Sequence, residues 1–307
     1  MLPNALIRTT GLFAAAVLWL MPQLSEAQQR RGTAYDYVVT EKMVVQPDGA
    51  TSHVRVFAKD AAAGAWIAIV PSLGRGVEDY TEDYASTLTS RLVAAGYRVI
   101  LVQPRGIGRS TGDLTPSAMS MSLFANDLKT AFDSIGAQRV HLIGHAFGNR
   151  LARTFATLFP DRVDRVVLLA SGGNFDMGAE REACLRDSFD LGLERQARLR
   201  ALQCAFFARG NDPSVWLNGW YPALAAAEIH AGSMVNGDFF KAAGGRPVLL
   251  IQAGEDNIAP PALAGRALAQ ELGAQVTYAE IPFAGHALSS EQPDIIADIV
   301  LLFLARK

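Results

Sequence analysis

The sequence predicts an α/β fold: a mostly parallel sheet with helices on both faces and a helical insertion near its middle. Three features of the chain predict it. Short, unbroken apolar runs alternate with helical patterns from Trp66 to Ala170. The alternation stops at Ser171 and gives way to a helical, irregular stretch from about Gly172 to Gly245. It then resumes with two more apolar runs and a last amphipathic helix. Strands covered on both faces read as continuous apolar runs, because neither side meets water.

The first 27 residues stand apart from this pattern. Arg8 supplies a positive charge, Gly11 to Leu20 is apolar or small, Pro22 breaks the run, and Ser25-Glu26-Ala27 has the small-x-small form of a processing site. The run falls short of the about 20 residues that a helix needs to cross a bilayer. Residues 1–27 are therefore expected to be a signal peptide cleaved after Ala27, with 28–307 exported to a periplasmic or secreted location. An uncleaved N-terminal membrane anchor is the alternative. No cysteine follows the site, so a lipid attachment is not expected.

The elements then follow in order. Tyr35 to Val45 and Thr51 to Phe57 flank the turn signal Gln46-Pro47-Asp48-Gly49 and read as a hairpin. The strands Trp66 to Val70, Arg98 to Val102 and His141 to Ile143 are each followed by a helix, around Asp83 to Ala95, Ser122 to Ile135 and Phe147 to Leu158. Val166 to Ala170 is the next strand. After the insertion come Pro247 to Gln252, Val276 to Ile281, and a helix from Pro293 to Ala305.

Composition narrows the function classes. Half of the 307 residues are hydrophobic and 19% are charged, which suits a large buried core. A net charge of −2 gives no electrostatic reason to bind nucleic acid or an anionic membrane. No dinucleotide fingerprint, P-loop or zinc spacing is present, so neither a cofactor nor a metal is expected. A small molecule is the expected partner, without stable membrane insertion after cleavage, and oligomeric state is not legible. The two cysteines, Cys184 and Cys204, are expected to pair if the chain is exported.

The chemistry concentrates at strand ends. Val140 to Arg150 reads strand, sharp turn, helix, and its turn Gly144-His145-Ala146-Phe147-Gly148 has the form G-x-S-x-G with Ala146 at the serine position. Leu249 to Pro260 puts Asp256 on the loop after a buried strand, and Ile281-Pro282-Phe283-Ala284-Gly285-His286 does the same for a histidine. Together these segments resemble the α/β-hydrolase fold superfamily of the capped type, in the order nucleophile, acid, histidine. The resemblance runs from about residue 60 to 305. It includes Gln103-Pro104-Arg105-Gly106-Ile107-Gly108-Arg109-Ser110, which is similar to the family's Arg-Gly-x-Gly-x-Ser turn.

The resemblance implies that His286 and Asp256 form a dyad, and that backbone N–H groups of Leu73 and Phe147 make an oxyanion hole. It also implies a catalytic serine, and here the chain departs, because Ala146 has no lone pair with which to form an acyl-enzyme. The loop Pro71-Ser72-Leu73-Gly74-Arg75-Gly76 lacks the family's usual His-Gly pair. Ser72 on that loop is either a substitute nucleophile or a turn hydroxyl bonded to its own backbone. Arg75, Glu78 and Asp79 either contact a ligand or form a solvated, salt-bridged loop. His145 is expected as a packed neighbour of the turn, and Asp127 as a surface or capping residue. Trp216, Trp220 and Tyr221, with Phe206 and Phe207, are expected to wall a pocket or to pack the cap.

The function that follows is hydrolysis of a small ester-like or apolar substrate at an altered site, without a serine acyl-enzyme. The alternatives are an inactive hydrolase fold that binds a small molecule, and a lyase or cofactor-independent oxygenase in which His286 is the base. An alanine introduced in place of a natural serine is a further reading, against which the leader segment weighs.

Overall fold

The structure, a computed structural model, describes residues 37–59, 64–81, 88–172 and 175–306. The leader expected at residues 1–27 lies outside them. Eight strands form one sheet: β1 (Val38–Val45), β2 (Thr51–Ala58), β3 (Trp66–Val70), β4 (Arg98–Val102), β5 (Val140–His145), β6 (Val163–Leu169), β7 (Val248–Ala253) and β8 (Val276–Ile281), in spatial order β1-β2-β4-β3-β5-β6-β7-β8. The hairpin β1–β2 joins antiparallel to β4, and β4, β3, β5, β6, β7 and β8 run parallel.

Alternation along each strand explains the two cores. On β3, Ala68 and Val70 face the side covered by α2 (Met121–Ser134) and α3 (Phe147–Leu158), while Ile67 and Ile69 face α1 (Leu88–Ala94) and the C-terminal helix Pro293–Leu304. On β5, Leu142 and Ile143 divide in the same way. The central strands β3 and β7 are apolar along almost their whole length because both faces are buried, whereas edge strand β8 is only half-buried and carries Thr277 and Glu280.

The chain between β6 and β7 carries α4 (Ala179–Phe189), α5 (Arg195–Phe206), α6 (Pro222–Ser233) and the short α7 (Gly237–Phe240). Cys184 on α4 and Cys204 on α5 are joined by a disulfide with a Cα–Cα distance of 5.8 Å. Phe206, Phe207, Trp216 and Trp220 form a separate apolar cluster there.

Two features differ from the sequence expectation. A helix, α8 (Gly265–Leu272), connects β7 to β8, where the sequence pattern predicts only the two strands. It is followed by α9 (Leu288–Glu291) and α10, the C-terminal helix already described. Asp127 is neither a surface nor a capping residue: it is 6% exposed, and Arg105 Nε and Nη2 donate to its two oxygens at 2.9 and 2.8 Å. The planar guanidinium matches the carboxylate fork, which offsets the cost of burying both charges.

Candidate active site

The turn after β5 requires its glycines. A side chain on Gly144 would come within 2.3 Å of the Gly148 carbonyl oxygen, and one on Gly148 within 2.3 Å of the Val70 carbonyl oxygen. Ala146, at the apex, has φ 50° and ψ −110°, a left-handed conformation that costs an L-residue roughly 1–3 kcal/mol. The sharp elbow is therefore present although its apex carries only a methyl group.

Loops at the ends of β7 and β8 bring Asp256 and His286 together. His286 Nδ1 donates to Asp256, with its carboxylate oxygens at 3.0 and 2.9 Å. The same carboxylate accepts the backbone N–H groups of Ile258 at 3.0 Å and Ala259 at 2.7 Å, and Gln252 Nε2 at 3.2 Å. Three donors besides the histidine hold the carboxylate, so it holds the ring in turn. Its acceptance of the Nδ1 proton leaves Nε2 with the lone pair.

A cavity of about 420 Å³ lies over this dyad. Ser72, Leu73, Ala146, Phe147 and His286 line its floor, and Phe175, Met177, Leu185, Phe189, Phe206 and Ile229 line its roof. Among the described residues no protein group accepts from the backbone N–H of Leu73 or of Phe147. Phe147 opens α3, so its N–H is one of the free donors at a helix start. Among the described residues the Ser72 hydroxyl bonds neither to its own backbone nor to another group, so of its two readings the turn hydroxyl is not met.

Other expected positions lie elsewhere. Trp216, Trp220 and Tyr221 are absent from the cavity wall. Instead the Arg75 guanidinium lies 4.6 Å from the ring centres of both Trp216 and Trp220. Arg75 is fully buried and ion-paired with Asp79, so this loop is not solvated. Arg75 Nη1 also donates to the Asn218 carbonyl at 2.7 Å, and Tyr221 N donates to the Gly74 carbonyl at 2.9 Å. The turn bearing Leu73 is thus stitched to the inserted helical segment by its neighbours on the C-terminal side.

Three contributors carried no local sequence signal. Glu228 on α6 is 5% exposed, and its Oε2 accepts the Gly74 N–H at 2.7 Å; burial raises its carboxyl well above the usual range. Glu291 accepts the N–H of Gly285 at 2.7 Å and that of Ala208 at 2.8 Å, tying the His286 loop to the segment after α5. Tyr80 donates to His145 Nδ1 at 2.7 Å beneath the elbow. Each pairs residues distant in the chain, so only the folded structure reveals it.

Among the described residues no cluster of His, Cys, Asp or Glu is placed to hold a metal ion. No helix of the described residues is long and apolar enough to cross a membrane.

Known proteins with related sequences and structures agree with this architecture. The sequence profile of the alpha/beta hydrolase fold family matches residues 66–206. A 2-hydroxy-6-oxononadienedioate/2-hydroxy-6-oxononatrienedioate hydrolase of Paraburkholderia phymatum is 34% identical over 134 residues, 43% of this chain and 45% of that protein. The chain thus spans about half the length of the first curated relatives it matches. An esterase from Exiguobacterium antarcticum superposes with a TM-score of 0.70 at 15% identity, covering 87% of this chain and 100% of that one. The bromoperoxidase of Bacillus anthracis gives 0.68 at 21% identity, over 87% and 100% of the two chains. Sheet order and elbow give this chain the alpha/beta hydrolase fold, and its residues 66–206 match that family's profile, with Ala146 at the apex of the elbow.

Proposed function

We propose that the protein hydrolyses a small, largely apolar ester-like substrate, with His286 as general base and water in place of a serine nucleophile. The observation that carries this reading is the His286–Asp256 pair beneath a mostly apolar cavity, with Nε2 left as the basic nitrogen. Nε2 takes a proton from water, and the water oxygen bonds to the ester carbonyl carbon. The carbonyl electron pair moves onto oxygen, where the N–H groups of Leu73 and Phe147 stabilise it. Collapse breaks the ester C–O bond, and the leaving alkoxide takes the proton back from His286. Ser72, on the same cavity floor, is the second candidate nucleophile.

Without an acyl-enzyme the rate rests on the base, the oxyanion donors and binding. A serine protease stripped of a triad member keeps roughly 10³- to 10⁴-fold over water, and turnover of that modest order is expected here. The methyl group at Ala146 favours a second reading, a binding protein that holds an apolar ligand without reaction. Proton abstraction by His286 in a lyase or cofactor-independent oxygenase is the third.

The experiment is hydrolysis of aryl esters of graded acyl length by the purified protein and by His286→Ala. Turnover above the buffer blank that disappears in the variant supports the hydrolase. Equal rates for the two proteins remove it and leave the other readings.

Export belongs to the same proposal. The leader pattern of residues 1–27 and the Cys184–Cys204 disulfide both suit an oxidising compartment. N-terminal sequencing of the protein from its native cell tests this: a mature end at Gln28 supports cleavage, and an end at Met1 rejects it.

A further inference from the structure

A second cavity, of about 620 Å³, adjoins the first: Arg150, Gly172 and Ser233 line both. Its wall is polar where the first is apolar. Asp238 and Glu271 contribute negative charge, but Lys241 Nζ pairs with both, at 2.6 and 2.5 Å. Arg150 and Arg153 contribute positive charge, and among the described residues no carboxylate pairs with either.

Both arginines come from α3, one turn apart, behind the elbow. Arg153 is only 5% exposed. Its Nε is spent on the Asn149 carbonyl at 3.1 Å, and its guanidinium lies 5.0 Å from the Phe240 ring centre. That leaves its terminal nitrogens toward the cavity it lines. Arg150 Nη1 would be 3.4 Å from a side chain built on Gly232, which places it at the junction of the two chambers. Burial and the neighbouring Arg150 push Arg153 down to about 10, so it remains charged at neutral pH. Two like charges without a counter-ion, Arg153 buried and Arg150 half-buried, repel each other and lack part of the solvation they would have in water. One oxyanion between them relieves both penalties through charge-assisted hydrogen bonds.

We propose that the second cavity is an oxyanion subsite in which Arg150 and Arg153 hold a carboxylate or phosphate group of the ligand, while its apolar part lies over His286. The inference rests on the reading of the first cavity as the ligand pocket, but not on turnover there. The two chambers would then select an elongated amphipathic molecule with an acidic end.

The test is calorimetric binding to the intact protein of three probes of similar shape: 4-phenylbutanoate, 3-phenylpropylphosphonate and the neutral 4-phenylbutanamide. At least one anion is expected to bind about 10-fold or more tightly than the amide, the scale of a buried charged hydrogen bond. The tighter of the two anions identifies the carboxylate or phosphate source. Arg150→Gln and Arg153→Gln are expected to abolish the preference while the amide still binds, which shows that each variant is folded. Arg153→Lys is expected to keep part of the preference. The preference is read from binding alone and the catalytic reading from ester turnover, so failure of one is distinguishable from failure of the other. Anions that bind no better than the amide, or a preference that survives both glutamine variants, overturn the proposal.

Discussion

His145 Nε2 donates to the backbone carbonyl oxygen of His286 at 2.7 Å, so one buried histidine fixes the main chain of the other. The geometry sets the tautomer: Nε2 carries the proton, and Nδ1 accepts from the Tyr80 hydroxyl. Burial, reinforced by the charge of His286 when protonated, pushes His145 down to about 3.

A pH dependence follows. The folded value lies below the unfolded one of about 6.5, so the unfolded chain binds the extra proton first. Stability is then complete above about pH 6.5 and declines as pH falls toward the folded value, by about 2 kcal/mol between pH 7 and 5. His145→Gln keeps a donor for the His286 carbonyl but has no proton to gain. Denaturant melts at both pH values should show a smaller acid loss in the variant by about that amount; equal losses would exclude this role for His145.

Ala146→Ser places a hydroxyl at the apex of an elbow whose base and acid are already paired. Aryl-ester hydrolysis is expected to rise by about 10²-fold or more, with covalent labelling by a fluorophosphonate. Labelling should vanish in the double variant with His286→Ala. If Ala146→Ser is inert to the probe, His286 does not reach the apex.

Ala146→Gly tests the backbone. Removing the methyl group at φ 50° should stabilise the protein by about 1 kcal/mol, less the entropy that glycine loses on folding. A clear loss of stability would mean that the methyl group's packing outweighs the strain.

Glu228 accepts the Gly74 N–H from within a buried setting that favours its neutral form. Glu228→Gln keeps an acceptor without the penalty of a buried carboxylate, so it should be at least as stable as the parent at pH 7, with the gain shrinking toward about pH 4. Glu228→Ala orphans the N–H and should cost about 1–3 kcal/mol. A Gln variant as damaged as the Ala variant would show that the carboxylate charge is required.

A disulfide joins α4 to α5, and beside it Leu185 and Phe189 of α4 pack half-buried against the cluster that holds Leu202 and Phe206. Closing a loop of this size contributes about 3 kcal/mol in the chain-entropy model. Changing Cys184 and Cys204 together to serine should lower stability by about that amount, read by denaturant unfolding. Unchanged unfolding would show that the bond adds nothing.

The sheet was legible because burial on both faces leaves an unbroken apolar run such as Leu249-Leu250-Ile251, and the elbow because Gly144 and Gly148 admit no side chain. The residues His286 and Asp256 were legible as strand-end positions. What sequence could not supply was direction. Trp216 and Trp220 look the same whether they face a pocket or clasp Arg75, and only the fold decides. Nor does any spacing announce that Glu228 reaches Gly74, 154 positions away. Asp127 looked exposed because an acid on an amphipathic helix usually is, and its fork-shaped partner Arg105 lies 22 positions earlier, on another loop.

The clasp of Arg75 between two tryptophans bears on traffic through the molecule. Swinging the inserted helices away as one body would pull a buried cation from its rings and dismantle the turn bearing Leu73. A route to the cavity that leaves the clasp shut runs past side chains at its mouth, where Ile229 is 57% exposed. Such side-chain gating runs in picoseconds to nanoseconds, against microseconds or longer for a domain hinge. Such a route would leave the geometry around His286 undisturbed, with Asp256 and His286 already paired.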